Sequence, residues 1–147
     1  MNSIHDICFG KYHYEVAILL RNAVLTNFLL TNSEAWHNLT ESDLRSLEKV
    51  DESLLCKILE TPISTPREIL YLELEVMPIG FIIQSRKLII LKYIVSEPSD
   101  SLVHQVFEAQ LKYPTRNDWG QTVMKDMVDI DLNMKKLKNM TKNQLRK

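Results

Sequence analysis

Thr65-Pro66-Arg67-Glu68-Ile69-Leu70-Tyr71-Leu72-Glu73-Leu74-Glu75-Val76-Met77-Pro78-Ile79-Gly80-Phe81-Ile82-Ile83 leads into a largely apolar run that ends at Val95, and its two prolines divide it into two helices. Thr65 suits an N-cap, Pro66 the first helical position, and Glu68 stands where a side chain reaches back to the cap. Pro78 opens the second helix. That helix is apolar on most of its sides, through Ile79, Phe81, Ile82, Ile83, Leu88, Ile89, Ile90, Leu91, Ile94 and Val95. A helix apolar nearly all round must be covered by neighbours. The reading therefore places residues 78–96 at the centre of the core.

Helical spacing extends in both directions. Upstream, residues 14–31 read as a buried helix, with Val16, Ala17, Leu20, Val24, Leu25, Phe28 and Leu29 recurring at steps of three and four. Thr40 is an N-cap with acids behind it, which favours the helix dipole. The helix it opens turns Leu44, Leu47, Leu54, Leu55, Ile58 and Leu59 inward, with either Val50 or Asp51 between them, and ends near Glu60 because Pro62 follows. Downstream, Ser99 or Asp100 caps a helix over residues 101–112. Asn117 caps a short one with Trp119, Val123, Met124 and Met127, and Thr141 is a last capped start. No strand-type alternation runs for five residues. The expectation is an all-α fold, a compact array of six or seven helices around a central apolar helix. A single helical domain over residues 1–130 is followed by a basic C-terminal tail over residues 131–147.

The totals agree. One domain's worth of chain, 147 residues, carries 45% apolar and 25% charged residues, as in an ordinary soluble globular protein. The net charge of −1 hides an asymmetry. From Leu132 onward stand Lys135, Lys136, Lys138, Lys142, Arg146 and Lys147 and no acid, so the remaining 12 of 18 basic residues face all 19 acids. A basic tail on an acidic body either touches nucleic acid or docks on the body. The two cysteines, Cys8 and Cys56, have no CxxC spacing, which fits buried thiols in a reducing compartment. The polar first residues are not a signal peptide, and the apolar run from Val16 to Leu30 holds Arg21 and Asn22 and is short of a span. The expectation is an intracellular protein with no membrane contact.

Chemistry is sparse. His5, Cys8 and His13 lack a fourth ligand and match no strong zinc spacing. Cys56, between Leu55 and Lys57, reads as partly buried and has no histidine beside it in sequence. Glu73 and Glu75, two apart, face different sides of a helix. No GxGxxG, Walker lysine loop, GxSxG or HExxH is present. Arg86-Lys87 interrupts the central apolar helix and is either a solvated stripe, paired with Glu73 or Glu75, or a phosphate contact. Trp119 reads as a core anchor at a helix start ahead of a base-stacking platform.

Several stretches in order resemble one family. These are Tyr14-Glu15-Val16-Ala17-Ile18-Leu19-Leu20-Arg21-Asn22, Asn32-Ser33-Glu34-Ala35-Trp36-His37-Asn38-Leu39-Thr40, Leu47-Glu48-Lys49-Val50-Asp51-Glu52, Leu70-Tyr71-Leu72-Glu73-Leu74, Pro78-Ile79, Phe81-Ile82-Ile83, Glu108-Ala109-Gln110 and Asp118-Trp119. Together they resemble the reverse-transcriptase polyproteins of LINE-type (non-LTR) retroelements, in the segment downstream of the polymerase palm. The resemblance runs from about Tyr14 to Leu145. It implies a helical piece that holds template, primer or target DNA, or braces the polymerase core. That family's catalytic Tyr-x-Asp-Asp box is absent, so the resemblance carries over no catalytic residue. Three positions depart from the family. Glu75 stands where Gly is usual and would suit a left-handed helix end. Gly80 stands where Arg is usual, at a cost of about 1 kcal/mol in helix propensity. Cys56 stands where a basic residue is common.

The sequence thus reads as non-enzymatic, without cofactor or metal. Its first function is a remnant of such a reverse transcriptase with salt-dependent RNA or DNA binding through Arg45, Arg86, Lys87, Lys135, Lys136 and Lys138. The alternative is a protein-interaction module docking on a polymerase core or other larger partner, which a large exposed apolar patch would favour.

Overall fold

A computed structural model describes residues 11–115, 118–141 and 144–145. Among them run seven α-helices and no strand. In chain order they are α1 (Lys11–Val24), α2 (Glu41–Ile58), α3 (Arg67–Glu73), α4 (Ile79–Ser96), α5 (Leu102–Lys112), α6 (Trp119–Asp129) and α7 (Met134–Asn139). A π-helical turn, Leu25–Leu29, continues α1, and a 3-10 turn, Ser33–Ala35, precedes α2. The all-α expectation stands. Backbone contacts divide the chain into two units, residues 1–31 with 40–80 and residues 32–39 with 81–147.

The first unit packs α1, α2 and α3 around Leu55, Cys56, Ile58, Leu70 and Leu74, with Ala17, Ile18, Leu54 and Leu59 at the margin. Thr40 caps α2 as expected. Its hydroxyl accepts the Asp43 N–H at 3.1 Å and the Asp43 carboxylate accepts the Thr40 N–H at 3.0 Å, a closed capping box. The Thr40 hydroxyl also donates to the Asp43 carboxylate at 2.7 Å, and this bond first, then the one from the Thr40 N–H, holds the Asp43 carboxyl below the usual aspartate range. The α3 start differs from expectation. Pro66 takes the N-cap position, and the Thr65 hydroxyl instead donates to the Pro62 carbonyl at 2.7 Å. Glu68 turns to Arg67 at 3.1 Å and leaves the cap.

The second unit is built on α4, α5, α6 and α7. Its core holds Leu88, Leu91, Ile94, Val95, Phe107, Val123, Met127, Leu137 and Leu145. The central helix is not covered all round, however. Phe81 and Tyr93 on α4 stay exposed, because the neighbours of α4 close over the Leu88, Leu91 and Val95 side. Ser101 caps α5, through a hydroxyl that accepts the His104 N–H at 3.2 Å, so the cap falls one or two residues after those expected at Asp100 or Ser99. Asp118 is the N-cap position of α6, and the expected cap Asn117 lies outside the described residues. The stretch expected as a basic tail contributes Leu137 and Leu145 to this core. Asn133 starts α7 by accepting the Lys136 N–H at 2.8 Å, and Thr141 and Gln144 bond each other reciprocally at the last start.

Candidate functional site

The least expected feature of the first unit is its charge. Arg21 interrupts the apolar spacing of α1 and is 2% exposed; Asp51 on α2 is fully buried. The guanidinium donates to both carboxylate oxygens, Nε to Oδ1 at 2.7 Å and Nη2 to Oδ2 at 2.5 Å. Nη2 also donates to the Met77 carbonyl at 3.2 Å. This planar two-pronged pairing satisfies charges that would be costly alone in a core. It also decides which of Val50 and Asp51 faces inward: Asp51 does, and Val50 is exposed. The Tyr71 hydroxyl is buried without a hydrogen-bond partner among the described residues. Burial pushes its proton affinity up, and the carboxylates of Asp51, Glu52 and Glu48 push the same way against Arg21.

With Arg21 turned inward, the opposite side of α1 lies open. The expected burial of residues 14–31 therefore fails over half its surface. Leu25 and Leu30 are buried, but Val16, Leu19, Leu20, Val24 and Phe28 are exposed, Leu19 at 68% and Phe28 at 80%. Spacing alone misled here, because these residues and Arg21 sit at steps that cannot all face one neighbour. The signal that separates the two faces is the Arg21–Asp51 pair itself.

The six basic residues nominated for nucleic acid fare unequally. Arg45 on α2 is exposed. Arg86 is part-buried and donates to the Ser33 hydroxyl at 3.3 Å. Lys87 is 5% exposed and stands 3.8 Å from the Asp126 carboxylate, which removes it from any phosphate-tracking surface. Arg86 is part-buried and Lys87 buried, so neither belongs to a solvated stripe. Burial raises the Asp126 carboxyl above the aspartate range, partly offset by Lys87. Lys135, Lys136 and Lys138 are exposed on α7, held there by the burial of Leu137 between them. The Trp119 indole N–H donates to the Glu34 carbonyl at 2.6 Å, and the ring meets Phe107 edge to face at 6.1 Å, which makes it an anchor of the second unit.

Cys56 is buried, not partly exposed, and its thiol donates to the Pro62 carbonyl at 3.6 Å. His5 and Cys8 lie outside the described residues, as does the side chain of His13. Among the described residues no three His, Cys, Asp or Glu side chains gather as metal ligands, and no helix is long and apolar enough to cross a membrane. Open hollows of about 310 Å3 and about 430 Å3 flank Ile90, one lined by Ala35, Ile94 and Trp119, the other by Ile89, Lys92 and Tyr93. In comparisons with family models, with curated proteins and with solved structures, nothing matches this chain.

Proposed function

We propose that this chain is a non-catalytic helical docking module of the kind that follows the polymerase in non-LTR reverse transcriptases, and that it works by protein contact through the outer face of α1. The carrying observation is that face: Val16, Leu19, Leu20 and Val24 stand exposed on a helix whose other side is already packed, and Phe28 is exposed in the π-helical turn that continues it. An apolar surface of this kind marks an interaction site. The test is titration calorimetry of the folded chain against a separately purified polymerase core of the resembled class. Saturable binding that Leu19→Glu with Leu20→Glu abolishes supports the reading. Absence of binding with circular dichroism intact overturns it.

A second reading, nucleic-acid holding, is favoured by Lys135, Lys136 and Lys138, which α7 presents on its outside. Three phosphate contacts correspond to a roughly 40-fold loss of affinity between about 50 and about 200 mM salt. Fluorescence anisotropy with single-stranded RNA and duplex DNA reads that slope. Binding that is salt-independent, or unchanged in Lys135→Ala with Lys138→Ala, removes this reading.

A further inference from the structure

We propose that the docking of α7 is redox-sensitive: oxidation of Met134 and Met140 to their sulfoxides by hydrogen peroxide releases α7, with its lysines, from the core of the second unit.

Three observations carry it. The first is length. α7 has six residues, and so short a helix holds in water only through its contacts with the rest of the chain. The second is the make-up of those contacts. Met134, Leu137 and Met140 recur at steps of three and share the inward side, and all three join the cluster that holds Leu88, Leu91, Val123 and Met127. Lys135, Lys136 and Lys138 take the outside. Two of the three inward side chains are therefore thioethers, one at each end of α7, with the fully buried Leu137 between them. Lys92 adds a polar tie by donating to the Met140 carbonyl. The third is access. Met134 and Met140 are only partly buried, whereas Met127 in the same cluster is 2% exposed.

A lone pair on the sulfur attacks one oxygen of hydrogen peroxide. The S–O bond forms as the O–O bond breaks, and the second oxygen takes the proton of the first and leaves as water. Sulfur gives up two electrons and peroxide takes them. A flexible apolar thioether thereby becomes a polar, chiral sulfoxide, which disrupts an apolar cluster. With both sulfurs oxidised, Leu137 is the one inward side chain of α7 that remains apolar. The oxidation state thus sets whether Lys135, Lys136 and Lys138 stand in a fixed row or on loose chain.

The experiment is graded hydrogen peroxide treatment of the purified full chain, followed by dithiothreitol, which reverses thiol oxidation and leaves sulfoxides in place. Peptide mass spectrometry locates the added oxygens. Amide hydrogen exchange then reads Leu137, whose N–H donates to the Asn133 carbonyl at 2.9 Å, against Leu59 in the first unit, whose N–H donates to the Leu55 carbonyl at 2.9 Å. The expected result is oxygen on Met134 and Met140 before Met127, with exchange at Leu137 faster by at least about 10-fold and at Leu59 unchanged. Met134→Leu with Met140→Leu nearly conserves volume and is expected to abolish the acceleration, whereas Met124→Leu is expected to leave it intact. Methionine sulfoxide reductases of both stereospecificities, supplied with a thiol, are expected to restore slow exchange. Full oxidation of Met134 and Met140 with exchange at Leu137 unchanged overturns the proposal. So does an acceleration that persists in the double variant or that Met124→Leu removes, and so does oxidation of Met127 ahead of the other two.

Discussion

Arg21 and Asp51 are two residues that sequence statistics would place on a surface, and their burial follows from each other. Removing one leaves the other charged, dry and unpaired. Arg21→Met is therefore expected to lower stability by about 3–5 kcal/mol, read as a fall in the urea midpoint. Arg21→Met with Asp51→Leu, which removes both charges and keeps apolar volume, is expected to recover most of that loss. A double variant as unstable as the single one would show that the pair is not what holds α1 against α2. Tyr71 gives the opposite case. Its buried hydroxyl has no partner among the described residues, so Tyr71→Phe removes a desolvated polar atom. The expected result is unchanged or raised stability, by up to about 1 kcal/mol, in the same urea titration.

Three helix ends share one solution. Past α2, α3 and α6 the chain enters the left-handed region at Glu60, Glu75 and Asp131, with φ of 53°, 50° and 51°. The next residue's N–H then reaches five residues back: Thr61 to the Cys56 carbonyl at 2.9 Å, Val76 to Tyr71 at 3.1 Å, Leu132 to Met127 at 2.9 Å. Glycine is the usual occupant because a Cβ is crowded there. Glu75→Gly is expected to stabilise by roughly 1 kcal/mol, measured by thermal melting, and Glu60→Gly similarly. At the other end of α2, the depressed Asp43 carboxyl fixes the sign of a pH effect. A carboxyl lowered in the folded state contributes stability above its ordinary range and loses it as pH falls through the folded value. Thr40→Ala removes the two bonds made by the hydroxyl and keeps the one from the backbone N–H, so it should make the acid side of the stability profile shallower, with Thr40→Ser restoring it.

These elements also show what the sequence made legible. Prolines and caps announced most helices, whereas the left-handed end at Glu75 was not announced by the residue itself, because glutamate is not a usual occupant of that geometry. Periodicity overreached on α1, because it counts apolar side chains and cannot know that an arginine has been taken inside by an aspartate 30 positions on. For the site, the exposed lysines of α7 were readable from charge. The withdrawal of Lys87 was not, since Asp126 meets it only through the fold of the second unit.

For the molecule as a whole, the acidic body and basic end are less separate than composition suggests. Leu137 and Leu145 sit in the core with Val123 and Met127, so the basic stretch is anchored by apolar contacts. Leu137→Ala is expected to cost about 2–5 kcal/mol in chemical denaturation, as for a buried leucine, whereas an ordinary tail position would cost almost nothing. The buried arginine has a further consequence. Its guanidinium fork meets the Asp51 carboxylate in one orientation only, so α1 can neither roll about its axis nor slip by a residue without breaking both bonds. The outer stripe is thereby presented at a fixed angle before any partner arrives. A partner's arrival leaves little backbone freedom on α1 still to be lost, and association is correspondingly tighter than for a helix that must first settle its own rotation.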